Sequence, residues 1–153
     1  EKPDLSNHGY MLGLFHSAGV PILYQHFDDY SEVLSLAASQ GWDACIEYEY
    51  EKYHTSHTTI GALLAQQWKL PKAMIDVIYY QHEISGIFES GELASTSLYL
   101  LSILKLARHC VTFMNSPESE DTEWLNVHDQ MCDFLNLDDA DFDDLRDRVI
   151  EGL

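Results

Sequence analysis

The stretch HTTIGALLAQQWKLPKAMIDVIYYQHE, residues 57–83, decides the fold. His57, Ile60, Gly61, Leu64 and Trp68 fall at i, i+3, i+4, i+7 and i+11, which is one face of a helix. Beyond Leu70 and Pro71, the residues Ile75, Ile78 and His82 repeat that spacing. Proline disfavours helix in the residue before it and suits a first turn, so it stops one helix and starts the next. The spacing predicts helices over 56–68, capped by Thr55-Ser56, and 71–83. Each carries one histidine in its apolar stripe. A single histidine so placed is most often a hydrogen-bonded or partly exposed one. Two such faces joined by a tight corner point to a shared pocket, with Trp68 buried at the end of its stripe.

The rest of the chain reads as helix in both directions. Residues 7–17 form a first helix with Leu12 and Phe15 on one face and Gly19 past its end. Pro21 opens a short helix to about residue 27. Asp28 or Asp29 caps a third, which carries Tyr30, Val33, Leu34 and Ala37 and stops at Gly41. Residues 43–53 are expected to be helical. EYEYEKY also alternates like a strand, but a lone strand has nothing to pair with. After a loop bracketed by Gly86 and Gly91, a long helix over 92–114 follows. Leu98, Leu100, Leu101, Ile103, Leu104, Leu106 and Ala107 wrap most of its circumference, so it is expected to be the buried central helix. NSPESED, residues 115–121, is a turn-rich acidic loop. Helices over 122–135 and 138–151 close the chain, the second acidic at its start and carrying Arg146 and Arg148 near its end, as the helix dipole favours. The expected fold class is an all-α, compact helical bundle.

The 153 residues suit one domain, expected over 1–153 with no internal repeat. No apolar run approaches the length of a membrane span. With 26 acids against 8 bases the formal charge is −18, which repels phosphate backbones and anionic lipid. No nucleic-acid or membrane partner is therefore expected. Cys45, Cys110 and Cys132 are three widely spaced cysteines, the pattern of reduced thiols in a cytoplasmic protein.

Residues 57–83 resemble the HDOD family, a branch of the HD superfamily. That family shows His-x-x-x-Gly, then Trp-x-Leu-Pro, then a His-His pair. Here these are His57 and Gly61, then Trp68, Leu70 and Pro71, then Gln81 and His82. GYMLGLFHSAGVPIL, residues 9–23, sits where the family has Gly-Leu-Leu-His-Asp-Ile-Gly. The resemblance covers about 7–114, with 122–153 as a C-terminal helical pair, and implies the HD/HDOD helical fold. It also implies a further helical half upstream, so the chain is expected to be a fragment.

HD-type catalysis uses a His-Asp pair with a further His and Asp to hold a divalent cation, which activates a water against a phosphoester. The resemblance places Ser17 at the first Asp and Arg108, in LARH, at the late one. One member of the late histidine pair is Gln81. His16, His57 and His82 remain, without an adjacent carboxylate. Three convergent histidines can bind zinc. A guanidinium about 5 Å away, however, repels a dication by roughly 6 kcal/mol at an effective dielectric of about 20. No metal or other cofactor is expected, and His16, Ser17, His57, Gln81, His82 and Arg108 form a vestigial pocket.

The other candidates are weaker. His54 and His57 are three apart and His128 and Cys132 four apart, both allowed for metal pairs, but spacing supplies no second pair to complete either site. Asp139, Asp141 and Asp143 mimic the start of a calcium loop, but its glycine position is Asp144 and its last acid is Ile150. The expectation is a non-catalytic bacterial signalling module that acts through contacts with unidentified signalling proteins. The alternatives are a metal-dependent phosphohydrolase, which Ser17 and Arg108 oppose, and a sensor that holds a nucleotide or other anion in the vacated pocket.

Overall fold

The computed structural model describes residues 5–152. Among them are nine α-helices and no strand: α1 (Leu5–Phe15), α2 (Gly19–His26), α3 (Ser31–Gln40), α4 (Asp43–Tyr53), α5 (His57–Gln67), α6 (Lys72–Tyr80), α7 (Ser95–Asn115), α8 (Thr122–Leu135) and α9 (Asp139–Glu151). The all-α expectation holds, including for EYEYEKY. Cys45 and Glu49, one helical turn apart, both point inward from α4.

Local chemistry sets the boundaries. Ser56 caps α5 by accepting from the Thr59 N–H at 3.2 Å. Asp121 caps α8 in the same way through Trp124. Asp138 and Asp141 form a reciprocal capping box at the start of α9. The α5–α6 corner turns at Lys69, whose φ of 59° is left-handed, and Pro71 precedes the first residue of α6. Two helices end earlier than their stripes predict. α1 stops at Phe15, leaving His16, Ser17 and Ala18 in a turn, and α6 stops at Tyr80, leaving Gln81 and His82 in another.

Two clusters make the core. Leu23, Tyr30, Val33 and Cys45 join α2, α3 and α4. A larger cluster, with Leu12, Met74, Val77, Ile78, Leu100, Leu101, Val127, Met131 and Phe142 at its centre, joins α1, α6, α7, α8 and α9. The two halves meet where α2 crosses α5. A Cβ on Gly19 would lie 1.9 Å from the His57 carbonyl oxygen and 2.9 Å from the Gly61 nitrogen, so only glycine permits this approach. Gly61 in turn faces Ile78 closely, its added Cβ falling 3.0 Å from Cγ2.

Two packing expectations need correction. Trp68 is 48% exposed, with its ring tilted against Phe15 at 5.2 Å. It lies past the end of α5, where the chain turns and the apolar stripe no longer faces the core. α7 is central but not wrapped. Tyr99, Ile103, Ala107 and Val111 form an exposed strip four residues apart, because α1, α6, α8 and α9 pack against the rest of α7 and leave this strip uncovered.

Candidate functional site

The seam between the two core clusters opens into a cavity of ≈ 360 Å³. His16 and Ser17 reach it from the α1–α2 turn, Val20 and Pro21 from α2, and Trp42 from the N-terminus of α4. His57 comes from α5, Gln81 and His82 from the turn after α6, and Arg108 from α7. The residues singled out in the sequence thus converge on one site from separate parts of the chain. Among the described residues, no carboxylate lines it.

Gln81 organises one wall. Its side-chain amide donates to the His16 carbonyl at 2.7 Å and to the Ile78 carbonyl at 2.9 Å. Its Oε1 accepts from Arg108, and its main-chain oxygen accepts from Arg108 at 3.1 Å and from Lys105 at 3.2 Å. Arg108 also reaches Glu123 at 3.2 Å and approaches His82 Nδ1 at 3.5 Å. Arg108 is therefore built into the pocket wall, bonded to Gln81 and Glu123 and not to Ser17.

His57 is held from behind. Its side chain is 2% exposed, and its Nδ1 lies 2.7 Å from Glu49 Oε2, which also accepts from the His57 main-chain N–H at 3.2 Å. Tyr30 donates to the other oxygen of Glu49. With Nδ1 committed to Glu49, Nε2 is the nitrogen left for the pocket, and it is buried without a hydrogen-bond partner. The His57 ring packs 4.8 Å from Trp42 and 5.1 Å from His82.

Lys105, Glu49, Glu123 and Trp42 are site residues that motif reading misses. Lys105 is almost fully buried, one turn before Arg108, and pairs with Glu123 at 2.8 Å. Burial pulls its pKa below the usual lysine value, and Glu123 opposes that. Lys105 and Arg108 share the Glu123 carboxylate, and Glu83 and Asp121 also act on Lys105.

The site histidines are pushed toward the neutral form. Burial, then Arg108 and His57, hold His82 well below the ordinary histidine pKa. Burial, then Arg108, lower His16 as well. Both stay neutral in the folded chain at pH values where an unfolded histidine protonates. Below about pH 6.5 the unfolded chain therefore binds more protons, and stability falls by up to about 1.4 kcal/mol per pH unit for each fully depressed histidine. Acidification also relieves the repulsion among the surface acids, so the comparison is made with His82→Gln. Between about pH 7 and pH 5.5 the parent's stability in urea should fall more steeply than the variant's. Equal slopes would contradict the assignment of a neutral His82.

A model of the HDOD domain matches residues 1–84, more than half of the chain. The chain belongs to the HDOD domain family. This family is linked to bacterial signalling. The match takes in His16, Ser17, His57, Gln81 and His82 and ends just beyond them, short of the 7–114 span of the resemblance. Arg108 lies beyond the matched residues and joins the others only by its place in the pocket. No curated protein and no solved structure matches the chain. No helix among the described residues is long and apolar enough to cross a membrane.

Proposed function

We propose that this HDOD chain is a non-catalytic module of bacterial signal transduction that works in the cytoplasm through contacts with other signalling proteins. The observation that carries this reading is the Arg108 guanidinium in the wall of a cavity that no described carboxylate lines, beside His82. A phosphohydrolase of the HD type needs anionic oxygen ligands to hold a hard or borderline dication and a cation-activated water. Here Ser17 offers a neutral hydroxyl, and Arg108 brings a permanent positive charge. The hydrogen bonds of Gln81 fasten the α1–α2 turn to α7, which supports a pocket wall held together by side chains of the protein itself.

The test is hydrolysis of cyclic dinucleotides, nucleoside monophosphates and an aryl phosphodiester with manganese present. The expected result is no turnover that depends on His57. Metal-dependent turnover that is lost in His57→Ala would overturn the reading.

One observation favours a second reading, an anion sensor. The unpartnered His57 Nε2 and the Arg108 guanidinium share a pocket that no described carboxylate lines. A nucleotide phosphate fits that chemistry. A thermal-shift screen of nucleotides and cyclic dinucleotides separates the two readings: a stabilisation lost in Arg108→Ala supports the sensor, and no shift supports the protein-contact module.

A further inference from the structure

The turn between α8 and α9 brings together three side chains that no motif joins. His128 and Cys132 are one helical turn apart on α8, and Asp139 is the first residue of α9. Spacing alone supplies only the first two; the Asn136–Asp138 turn supplies the third. His128 Nε2 lies 3.6 Å from Cys132 Sγ and 3.5 Å from Asp139 Oδ1. All three ligand atoms fall within 4.8 Å of one another. A tetrahedral zinc ion with its usual bonds to sulfur, nitrogen and oxygen has ligand–ligand edges of about 3.3–3.6 Å. The two measured edges are near those lengths before any ion pulls the ligands in.

Further features point the same way. His128 Nδ1 lies 3.3 Å from the Asp129 carboxylate, the outer contact that orients a metal-bound histidine and leaves Nε2 for the ion. Trp124 and Phe142 pack against the ring, at 5.2 and 5.4 Å, and fix its plane. Asp138 performs the capping of α9, so Asp139 is not used for it. Burial, then the negative charge of Asp139, Asp129, Asp133 and Asp138, raise the Cys132 thiol pKa, so the metal must displace a bound proton. The same carboxylates favour a dication beside the sulfur.

We propose that His128 Nε2, Cys132 Sγ and Asp139 Oδ1 form a binding site for a zinc-class divalent cation, with water as the fourth ligand. A sulfur, a nitrogen and an oxygen donor in a tetrahedral arrangement suit zinc better than magnesium or calcium, which take oxygen. As the metal–sulfur bond forms, the Cys132 thiol gives its proton to solvent. The ion ties α8 to α9 and sets the angle of the C-terminal pair. The site lies apart from the pocket and stands or falls independently of the function proposed for it.

The test uses the untagged chain, with zinc titrated against a chromophoric chelator and cobalt titrated directly. One equivalent of each is expected, and cobalt should give the near-ultraviolet charge-transfer band of a metal–thiolate bond. His128→Ala and Cys132→Ser should lose most of the affinity. Asp129→Asn should lose about 10-fold, as outer contacts do. Glu118→Gln, elsewhere on the acidic surface, should change nothing. The parent's cobalt spectrum decides even if a variant fails to fold, because Cys45 and Cys110 are buried elsewhere. Cobalt bound without the band, zinc binding indifferent to His128→Ala, or no binding at all would each overturn the proposal. Binding that instead requires His16 or His57 would place the ion in the pocket and overturn it too.

Discussion

Glu49→Ala should cost about 3–5 kcal/mol in urea unfolding, because each buried donor left without its acceptor costs about 1–3 kcal/mol. Glu49 is fully buried and accepts three hydrogen bonds: from Tyr30, from the His57 main chain and from the His57 ring. Deleting the carboxylate strands all three donors where water cannot replace it. Glu49→Gln should also destabilise, though less. An amide has one acceptor oxygen, and its NH₂ would face a donor. The double-mutant cycle with His57→Ala should show coupling, because the two residues share one network. A loss below about 1 kcal/mol for Glu49→Ala would mean that the Tyr30–Glu49–His57 chain does not hold the pocket. With typical domain stabilities of about 5–15 kcal/mol, the expected loss is a large share of the total.

Gly19→Ala should cost about 3 kcal/mol or more, at or above the usual upper range for an added core methyl. The new Cβ would fall 1.9 Å from the His57 carbonyl oxygen, and the obstacle is backbone, which no rotamer change can move. α2 and α5 must separate, and that separation opens the seam in which the pocket lies. Gly13→Ala is the control: a Cβ there meets nothing within 4 Å, and in the exposed interior of α1 alanine is the better helix former. Equal stabilities for the two variants would show that the α2–α5 crossing is looser than described.

These two residues also show what the sequence makes legible. The stripes of α5 and α6 are readable because apolar side chains recur at helical spacing and Pro71 breaks the run. The convergence of His16, Ser17, His57, Gln81, His82 and Arg108 is expected only through the family resemblance, since no local rule brings residues 16 and 108 together. Glu49 is hidden inside EYEYEKY, where all the acidic and basic residues look equally solvated. Its one signal is its position one turn after Cys45 and one turn before Tyr53, on the inward face. Lys105 carries a similar signal: Leu98, Leu101, Lys105 and Arg108 fall on one side of α7, so a cation interrupts an apolar stripe. The exposure of Trp68 is not readable, because periodicity continues past the residue where the helix ends.

The pocket's present chemistry rests on two positions, Ser17 and Arg108, and restoring carboxylates at both tests that directly. Ser17→Asp with Arg108→Asp exchanges one positive charge for two negative ones beside His16, with His57 Nε2 already lacking a partner. Oxygen and imidazole ligands together suit manganese or iron. Arg108→Asp sets a carboxylate toward Glu123 in place of the present ion pair, so folding of the variant is checked first by circular dichroism. Calorimetric titration with manganese of the parent, both single variants and the double variant is the decisive measurement. The account predicts no binding at the parent's pocket and weak gains in the singles. The double variant should gain more than their sum, because both carboxylates act on one ion. Manganese bound in the parent and lost in His57→Ala, or a folded double variant that binds no better than the parent, would contradict it.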